Sequence, residues 1–567
     1  MRLPRFIRVP LLGILMTPIL VMDGLDKLAS FIRIIGVWLV IGLLAMSLIG
    51  LALSWMTGDV VPVPLMVGIA ALLGLVPCLG MGLVQWWELC FPEGAIPKRS
   101  GWTHGSARFA DGRDTIEFGG ASGGLLIGRD PYTQELLRYH GPAHLLTLAP
   151  TRAGKGVGTI IPNLLVAERP MLVIDPKGEN ARIAGAARSR FGPVHVLDPF
   201  GVSGHASAAL NPMDRLRPEN LDLGEDAATL ADALVMDPPG QVSEAHWNEE
   251  AKALLGGLIL FAALHEEPGR RNLGTVREYL TLPPDSFAAL LRLMQDSDHA
   301  HGLIARAANR FLGKADREAA SVMSNAQRHT HFLDSPRMAR TLERSTFRFS
   351  DLRRGIVSVF LVLSPNRLDA YARWLRLMVT ESLHDIARYA EDAQRGSQSA
   401  TGASGGSRPP ALFLLDEFAA LGRLEAVERA MGLMAGYGLQ LWPILQDMSQ
   451  LKALYGERAN TFVANAGILQ VFGVNDSETA QWLSRTMGKE TITYETKSGK
   501  PRDPVQDSLS EHVTGRDLMT PDEIMQLSPL LQLLRAQGKP PIIAQKLRYY
   551  DDPEFQNLAT PQDRQRA

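Results

Sequence analysis

The chain has 567 residues, of which 46% are hydrophobic and 21% are charged, and this composition excludes an intrinsically disordered protein. Its 58 basic residues nearly balance its 60 acidic ones, which excludes a protein that coats nucleic acid over its whole surface but not a local basic channel. Cys78 and Cys90 are the only cysteines, so the rest of the chain has no disulfide framework and no cysteine-ligated metal site.

Residues 1–97 have the composition of a membrane anchor. Residues 34–56 carry no charge, and about 20 apolar residues at 1.5 Å each cross a hydrocarbon layer of ~30 Å. A second apolar stretch, 65–84, is followed by Trp86 and Trp87, which suit the membrane interface. Basic residues flank this pair and none lies in the turn between them, so we expect a helix hairpin with both termini in the cytoplasm.

A further apolar stretch, residues 6–22, is interrupted by Arg8, Pro10 and Pro18. We interpret it as an interfacial or re-entrant segment. A third span would place the N-terminus outside the cell, and a cleaved signal peptide would need a small-residue cleavage pattern that does not follow.

After Pro97 the sequence is typical of a soluble α/β protein. Short aliphatic runs separated by helical patterns predict βαβ units and a parallel sheet that is covered on both faces. The predicted strands are residues 145–148, 171–174, 194–197, 356–363, 411–415, 439–445 and 468–474. Residues 221–344 have no comparable run and predict an inserted helical block, whereas the Gly- and Ser-rich residues 394–410 predict a flexible surface loop.

A candidate phosphate-binding loop, APTRAGKG at residues 149–156, follows the first of these strands. Such a turn lets backbone N–H groups surround phosphates while Lys155 reaches the outer ones. Two residues depart from the common pattern, because Ala149 replaces the first glycine and Gly156 replaces the hydroxyl residue that holds magnesium. Taken alone, the loop is also compatible with a glycine turn of no function. Pro162 lies in the expected next helix and should remove one hydrogen bond there.

Polar side chains follow two more of the predicted strands. The strand ALFLL ends in Asp416 and Glu417, and in an ATPase one such carboxylate can bind Mg²⁺ through water while the next polarises the attacking water. Gln446 follows residues 439–445, where a polar side chain can sense the γ-phosphate. Solvated acids and a surface glutamine are the plain alternatives, but three such elements in order favour an ATPase.

The chain resembles the TraG family of coupling proteins of type IV secretion and conjugation, which are membrane-anchored hexameric ATPases. The resemblance covers nearly the whole chain, and GKG in place of GK[ST] is a known variant in that family. It rests on the two-span N-terminus and on the motifs APTRAGKGVGTIIPNLL, VIDPKGE, VLDPF, LNPMDRL, LLDEFAALGRLE, ILQDMSQLKALYG and TGRDLMTPDEIMQL.

The resemblance implies a RecA-like P-loop domain at residues 98–220 and 345–567, with residues 221–344 as an inserted all-α domain that recognises cargo. It implies a homohexamer held in the bacterial inner membrane by the helix hairpin, with the ATPase domain in the cytoplasm. The implied partners are the proteins of the type IV secretion channel and, as cargo, either a relaxase with single-stranded DNA or protein effectors.

The resemblance also assigns roles in an ATP- and Mg²⁺-dependent site. Lys155 binds the β- and γ-phosphates, Asp416 supports Mg²⁺ through water, Glu417 is the catalytic base and Gln446 is the sensor. The implied nucleotide-binding loop consists of Thr151, Arg152, Ala153, Gly154, Lys155, Gly156 and Val157.

The arginine finger is not identified by the sequence. Some relatives place a trans-acting arginine in the stretch that corresponds to residues 430–438, and this stretch has no arginine. Arg423, Arg429, Arg340 and Arg344 all stay open as candidates.

Two other groups of residues have two interpretations each. Asp175, Lys177 and Glu179 of VIDPKGE either shape the nucleotide site or its subunit contact, or simply cap a strand end. The basic-rich run at residues 337–354 either lines a polyanion path or forms an exposed or interdomain surface.

Two other classes of function also stay open. One is a membrane scaffold that recruits cargo without hydrolysis. The other is a double-stranded DNA pump for chromosome segregation, although such pumps usually have more spans and a C-terminal winged-helix domain, which is not evident here.

Overall fold

A computed structural model describes residues 103–120, 123–235, 242–397, 409–498, 508–556 and 558. From His104 onwards these residues belong to one compact unit. The apolar stretches 6–22, 34–56 and 65–84 lie outside the described residues, and within the described part no helix is both long and apolar enough to cross a membrane.

Thirteen strands are present in the described residues. They are β1 Leu125–Arg129, β2 Leu136–Tyr139, β3 His144–Leu148, β4 Met171–Asp175, β5 Val194–Leu197, β6 Ser358–Val362, β7 Ala411–Leu415, β8 Leu439–Leu445, β9 Ala466–Val471, β10 Lys489–Ser498, β11 Ser508–Asp517, β12 Leu531–Ala536 and β13 Ile542–Gln545. Eleven of them form one sheet with the order β2-β1-β13-β12-β9-β3-β8-β7-β4-β6-β5, and β10 and β11 form a separate hairpin.

The seven predicted strands are confirmed as β3 to β9, and they pair in parallel. Their carboxyl ends therefore lie at one edge of the sheet, where ligands bind in open α/β folds. The register places Leu148 of β3 opposite Leu445 of β8, and Leu415 of β7 opposite Ile174 of β4.

The remaining four strands of the large sheet are antiparallel and were not predicted. β12 pairs with β9, β13 pairs with β12, and β1 pairs with both β13 and β2. The sheet is therefore mixed, with its last strands in sequence inserted between β9 and the β1–β2 hairpin.

Both faces of the sheet are buried, as the aliphatic runs predicted. Leu172 and Ile174 belong to one hydrophobic cluster, while Met171 and Val173 of the same strand belong to the other. This alternation follows from the two-residue period of a strand. It gives the molecule helices on both sides of a central sheet.

The helices are α1 Gly112–Thr115, α2 Ile161–Val166, α3 Glu179–Arg188, α4 Leu223–Leu234, α5 Val242–His265, α6 Leu273–Leu280, α7 Pro284–Gln295, α8 Leu303–Leu312, α9 Asp316–Thr330, α10 Pro336–Leu342, α11 Asp351–Arg354, α12 Pro365–Ser397, α13 Glu425–Leu433, α14 Met448–Tyr455, α15 Ala459–Ala464, α16 Ser477–Met487 and α17 Pro521–Met525.

The chain between β5 and β6 forms helices α4 to α11 and, in its described residues, no strand. Leu230 of α4 and Leu255 of α5 belong to the same hydrophobic cluster as Leu172 and Phe413 of the sheet. The helical character of this segment is therefore confirmed, while its division into a separate domain stays a prediction.

The loop predicted at residues 394–410 begins later than expected, because α12 continues to Ser397. The sequence EDAQR before this point favours helix, which explains the four extra helical residues. Residues 398–408 lie outside the described residues.

Candidate functional site

The candidate phosphate loop lies directly after β3, between this strand and a helix. The Ala149 N–H donates to the carbonyl of Leu445 at 2.8 Å, which joins the start of the loop to β8. Gly154 has a φ of +93°, a conformation that glycine adopts at little cost. Arg152 has a φ of +67°, so the loop also holds a non-glycine residue in the left-handed region.

The helix after the loop begins with a π turn, Gly156–Ile160, in which the Ile161 N–H donates to the carbonyl of Gly156. Pro162, which cannot donate, lies at the start of the regular α-helix that follows. Single π turns inside helices occur frequently at functional sites. The predicted interruption of the helix at Pro162 is therefore present, and it lies one turn from the loop.

Lys155 lies between the two carboxylates that follow β7. Its Nζ is 2.9 Å from Asp416 Oδ1 and 2.5 Å from Glu417 Oε1. Lys155 and Asp416 are both largely buried. The structure thus brings the predicted lysine and the predicted acidic pair together at one sheet edge.

The backbone after β7 turns sharply to present both acids. Glu417 has a φ of +50° and ψ of +42°, in the left-handed region, and its N–H donates to Asp416 Oδ1 at 3.0 Å. A non-glycine residue pays strain energy in this region, and such residues are concentrated at active sites.

Burial and pairing set the charges at this edge. Burial raises the pKa of Asp416, and the nearby Lys155 ammonium only partly offsets this effect. Burial alone would lower the pKa of Lys155, but its attraction to Asp416 and its hydrogen bonds to both acids outweigh burial and raise it. Lys155 therefore stays positively charged at neutral pH.

Gln446 directly follows Leu445, the residue paired with the last residue of β3. Its backbone N–H donates to Gln450 Oε1 at 3.1 Å, and its side-chain amide makes no hydrogen bond with the described residues. The structure therefore places Gln446 at the same sheet edge as the loop, and its role as a sensor stays a prediction.

Asp175 of the VIDPKGE motif lies at the end of β4, beside β7. Its Oδ2 accepts the Ala181 N–H at 2.8 Å, so its side chain caps the first turn of α3. Burial, with a smaller contribution from Asp416, raises its pKa to about 6. Lys177 and Glu179 are exposed and make no ion pair within the described part of the chain.

A second lysine, which was not predicted, also contacts the loop. Lys546, just after β13, donates to the carbonyl of Ala153 at 3.2 Å and to the carbonyl of Phe472. Its Nζ also lies 5.0 Å from the centre of the Phe472 ring. Burial, with repulsion from Arg548, lowers its pKa to about 8.

The segment after β13 also packs against the helix that follows the loop. The Tyr549 N–H donates to the carbonyl of Val157 at 3.2 Å. A Cβ atom on Gly158 would lie 2.9 Å from the carbonyl oxygen of Leu547 and 3.1 Å from the Phe472 ring. Only glycine allows this close approach of the two backbones.

A buried polar network connects this helix to the sheet below it. Gln470 of β9 accepts hydrogen bonds from Thr147 at 2.8 Å and from Thr159 at 3.2 Å. Gln470 also donates to the side chain of Gln532 in β12 at 2.8 Å, and Trp442 donates to Thr147 at 2.7 Å. Because these groups are buried, losing one partner would leave the others unsatisfied.

This sheet edge offers few protein ligands for Mg²⁺. Gly156 has no side-chain oxygen, and the Thr159 hydroxyl is directed to Gln470. No group of three or more acidic, histidine or cysteine side chains suited to a metal ion occurs in the described residues. The carboxylates of Asp416 and Glu417 fit an ion that takes most of its ligands from phosphate oxygens and water, as Mg²⁺ commonly does.

The four arginine-finger candidates lie in two places. Arg423 and Arg429 line a cavity between α4, α5 and α13, and Arg423 lies 3.6 Å from both Glu425 and Glu428. Arg340 and Arg344 line a different cavity, near the ends of β5 and β6. None of the four contacts Lys155 within this subunit, so the finger stays unassigned.

Comparison with known proteins agrees with this site and fold. The profile of the family described as "Type IV secretory system Conjugative DNA transfer" matches residues 101–566. Conjugal transfer protein TraG of Escherichia coli is 30% identical over 511 residues, which cover 82% of this chain and 79% of that protein. Protein VirD4 of Agrobacterium fabrum is 27% identical over 426 residues, which cover 73% of this chain and 60% of that protein.

Solved structures confirm the fold. The conjugative coupling protein TrwB in an unbound form has a TM-score of 0.58 at 19% identity, covering 80% of this chain and 95% of that one. TrwB in complex with ADP and Mg²⁺ has a TM-score of 0.57 at 19% identity, covering 80% and 96%. The mixed sheet with its phosphate loop is thus the α/β P-loop fold of TrwB.

Proposed function

The chain belongs to the family of type IV secretory system proteins for conjugative DNA transfer, and we propose that it is the coupling ATPase of such a system. In this proposal a hexamer is anchored in the bacterial inner membrane by the helix hairpin at residues 34–84. It recruits a relaxase–DNA complex through residues 221–344. ATP hydrolysis then drives the transfer of the DNA.

The contact of Lys155 with Asp416 and Glu417 is the observation that carries this proposal. A phosphate-loop lysine and acidic side chains at one sheet edge are groups that recur in P-loop enzymes of phosphoryl transfer. TrwB, which shares the fold, has been solved with ADP and Mg²⁺ and with a non-hydrolysable ATP analogue.

Each residue of the site has a separate role in the proposed hydrolysis of ATP. When ATP binds, Lys155 exchanges its carboxylate partners for the β- and γ-phosphates. This exchange leaves Asp416 to hold the water of a bound Mg²⁺ and Glu417 to orient the attacking water and accept its proton. Mg²⁺, when bound, neutralises charge on the phosphate oxygens. In this proposal Gln446, at the same sheet edge, contacts the γ-phosphate.

ATP turnover of the full-length protein in detergent tests the proposal. Glu417→Gln should still bind a fluorescent ATP analogue but hydrolyse ATP at least ~100-fold more slowly, because it loses the base. Lys155→Ala should lose both binding and turnover. Glu457→Gln and Lys452→Ala change exposed residues of the same types elsewhere and should behave like the unmodified protein. Turnover that is unchanged in Glu417→Gln would refute the assigned base.

Transfer from living donor cells separates the alternatives. Under the proposal, Lys155→Ala abolishes DNA transfer while the protein still inserts in the membrane. A non-hydrolysing scaffold predicts normal transfer by that variant. If the same machine delivers protein effectors instead, the Lys155→Ala variant blocks effector delivery and the unmodified protein transfers no DNA.

A further inference from the structure

A cavity of 760 Å³ lies beside the carboxyl ends of β5 and β6. Pro199 and Phe200, which follow β5, line one side of it, and residues from the first turns of α12, which follows β6, line another. Four arginines line this cavity, and its lining contains no acidic residue. We call it the arginine pocket, and its arginines are Arg337, Arg340, Arg344 and Arg367.

The charges of the arginine pocket have no counter-charge in the described part of the subunit. Arg337, Arg340 and Arg344 are exposed, and none of the four arginines makes an ion pair with another described residue. Glu343 lies in the same segment but pairs with none of them. Four guanidinium groups around one cavity repel one another, and a bound anion would relieve that repulsion.

The spacing of the arginines suits a ligand with several negative charges in a row. Arg337 and Arg340 are three residues apart in α10, and Arg344 lies just beyond Leu342, where this helix ends. Positions three apart lie on the same face of a helix, separated by one turn of about 5.4 Å, so Arg337 and Arg340 form a short row on one face. A row of this kind matches successive phosphates better than a single carboxylate.

Aromatic rings lie beside these charges. The Arg367 guanidinium lies 4.0 Å from the centre of the Phe200 ring, and the Phe200 and Tyr371 rings are 5.2 Å apart. Basic side chains with neighbouring aromatic rings are the combination that binds single-stranded nucleic acid, because phosphates pair with the cations and bases stack on the rings. An acidic peptide would use the cations but not the rings.

The arginine pocket also lies at the sheet edge that carries the nucleotide site. β6 is two strands from β7 in the sheet order β7-β4-β6, a separation of roughly 10 Å. The helix α12, which contributes Arg367 and Tyr371, begins directly after β6. A strand held in the pocket would therefore lie at the same sheet edge as Asp416 and Glu417, on the side of β7 away from the phosphate loop.

We propose that the arginine pocket binds the phosphate backbone of single-stranded nucleic acid, with the Phe200 and Tyr371 rings beside the bases. This inference rests on the proposed function and deepens it, since it names the residues that contact the cargo strand. It also gives the basic run at residues 337–354 its polyanion interpretation, limited to the arginines that line the pocket.

Fluorescence anisotropy with a fluorescein-labelled 15-nucleotide oligothymidylate tests the proposal on the full-length protein in detergent. Arg337→Gln/Arg340→Gln should weaken binding roughly tenfold at low salt. Because two phosphate contacts are lost, the slope of log affinity against log salt should become shallower by about 1.4. The matched control is Arg113→Gln/Arg292→Gln, which removes two exposed arginines that make no ion pair with described residues, and it should bind as the unmodified protein does.

Unchanged affinity of Arg337→Gln/Arg340→Gln for the oligonucleotide would overturn the proposal, and so would an equal loss of affinity in the control. Competition by oligoglutamate that is as strong as competition by unlabelled oligonucleotide would also overturn it. Should the double variant unfold, Arg344→Gln alone gives the same test from a position outside the helix. Lys155→Ala should bind the oligonucleotide normally. A protein that binds it through these arginines but never hydrolyses ATP would refute the proposed ATPase and leave the pocket standing.

Discussion

The ammonium group of Lys546 donates a hydrogen bond to the backbone carbonyl of Ala153 at 3.2 Å. The C=O and N–H of a trans peptide point in opposite directions, so fixing this carbonyl also fixes the N–H of Gly154. That N–H makes no hydrogen bond with the described residues and is one of the donors the loop can offer to a phosphate. Lys546 thus holds the phosphate loop in shape from a position just after the last strand.

Replacing Lys546 with Met should weaken nucleotide binding. The change keeps the apolar stem but leaves the carbonyls of Ala153 and Phe472 without their donor, which costs about 1–3 kcal/mol. If half of this loss falls on the loop, the Kd for a fluorescent ATP analogue rises by roughly two- to tenfold. Lys539→Met, at a lysine paired with Glu117 on the surface, serves as the control and should leave the Kd unchanged. An unaltered Kd in Lys546→Met would show that the loop does not depend on this contact.

Asp175 should make stability depend on pH. Its pKa is raised from 3.8 to about 6 in the fold, so the folded state binds more protons than the unfolded state between about pH 4 and 6. Stability from this group is therefore present below pH 4 and is lost as the pH rises through 6. Asp175→Asn removes this titration and should gain about 2–3 kcal/mol relative to the unmodified protein between pH 4 and 7.

Urea unfolding at several pH values measures this difference directly. Asp369→Asn changes an exposed aspartate and should show a constant difference from the unmodified protein. A constant difference for Asp175→Asn as well would mean that the pKa of Asp175 is the same in the folded and unfolded states.

Two glycines in the turn after Lys155 should respond in opposite ways to alanine. A Cβ on Gly156 meets no atom within 4 Å, so Gly156→Ala should be neutral or slightly stabilising. A Cβ on Gly158 would meet the Leu547 carbonyl at 2.9 Å, so Gly158→Ala must displace the segment after β13. We expect a loss of about 1–3 kcal/mol for Gly158→Ala, visible as a lower midpoint of thermal unfolding. Equal midpoints for the two variants would contradict this packing.

Asp226 should be the most costly acidic residue to neutralise in α4. It is fully buried, Arg388 lies 2.6 Å away and His384 lies 3.1 Å away. Burial opposes its charge, but the hydrogen bonds from His384 and Arg388 outweigh burial and lower its pKa to about 2. Its stabilising effect is thus complete above about pH 4 and is lost as the pH falls through 2.

Asp226→Asn should therefore lose about 3 kcal/mol at pH 7, since it removes the buried charge with which the partly buried Arg388 pairs. Asp232→Asn provides the comparison within the same helix, because Asp232 is exposed and pairs with Lys252 on the surface. That variant should lose less than about 1 kcal/mol. Chemical denaturation of both variants gives the two values, and similar losses would contradict the importance of burial.

The parallel half of the sheet was predictable because burial on both faces leaves a clear pattern. The strands that contain Val173 and Phe413 are continuous apolar runs. Such runs are typical of parallel strands that are buried on both faces. The antiparallel strands were not predicted. β1 contains Gly128 and Arg129, and β12 contains Gln532 and Arg535, so polar residues interrupt their apolar pattern. Gln532 is nonetheless buried, because Gln470 and the backbone satisfy its amide.

The central site was predictable for a related reason. Lys155, Asp416 and Glu417 each follow a strand, and parallel strands bring their carboxyl ends to one edge. Lys546 could not be found in this way, because its contact with Ala153 depends on the antiparallel pairing of β13. The arginine pocket likewise joins α10 to residues after β5, and no local pattern indicates that contact.

The position of β12 and β13 has a consequence for how the protein is made. Within the described strands, the β1–β2 hairpin reaches the rest of the sheet only through β12 and β13, which are also the last of these strands to leave the ribosome. Until β12 has been made, β9 has no strand paired on this side. Until Lys546 has been made, the phosphate loop lacks the hydrogen bond to its Ala153 carbonyl. A growing chain therefore cannot form the contact between Lys546 and Ala153 until β12 and β13 have been made and paired.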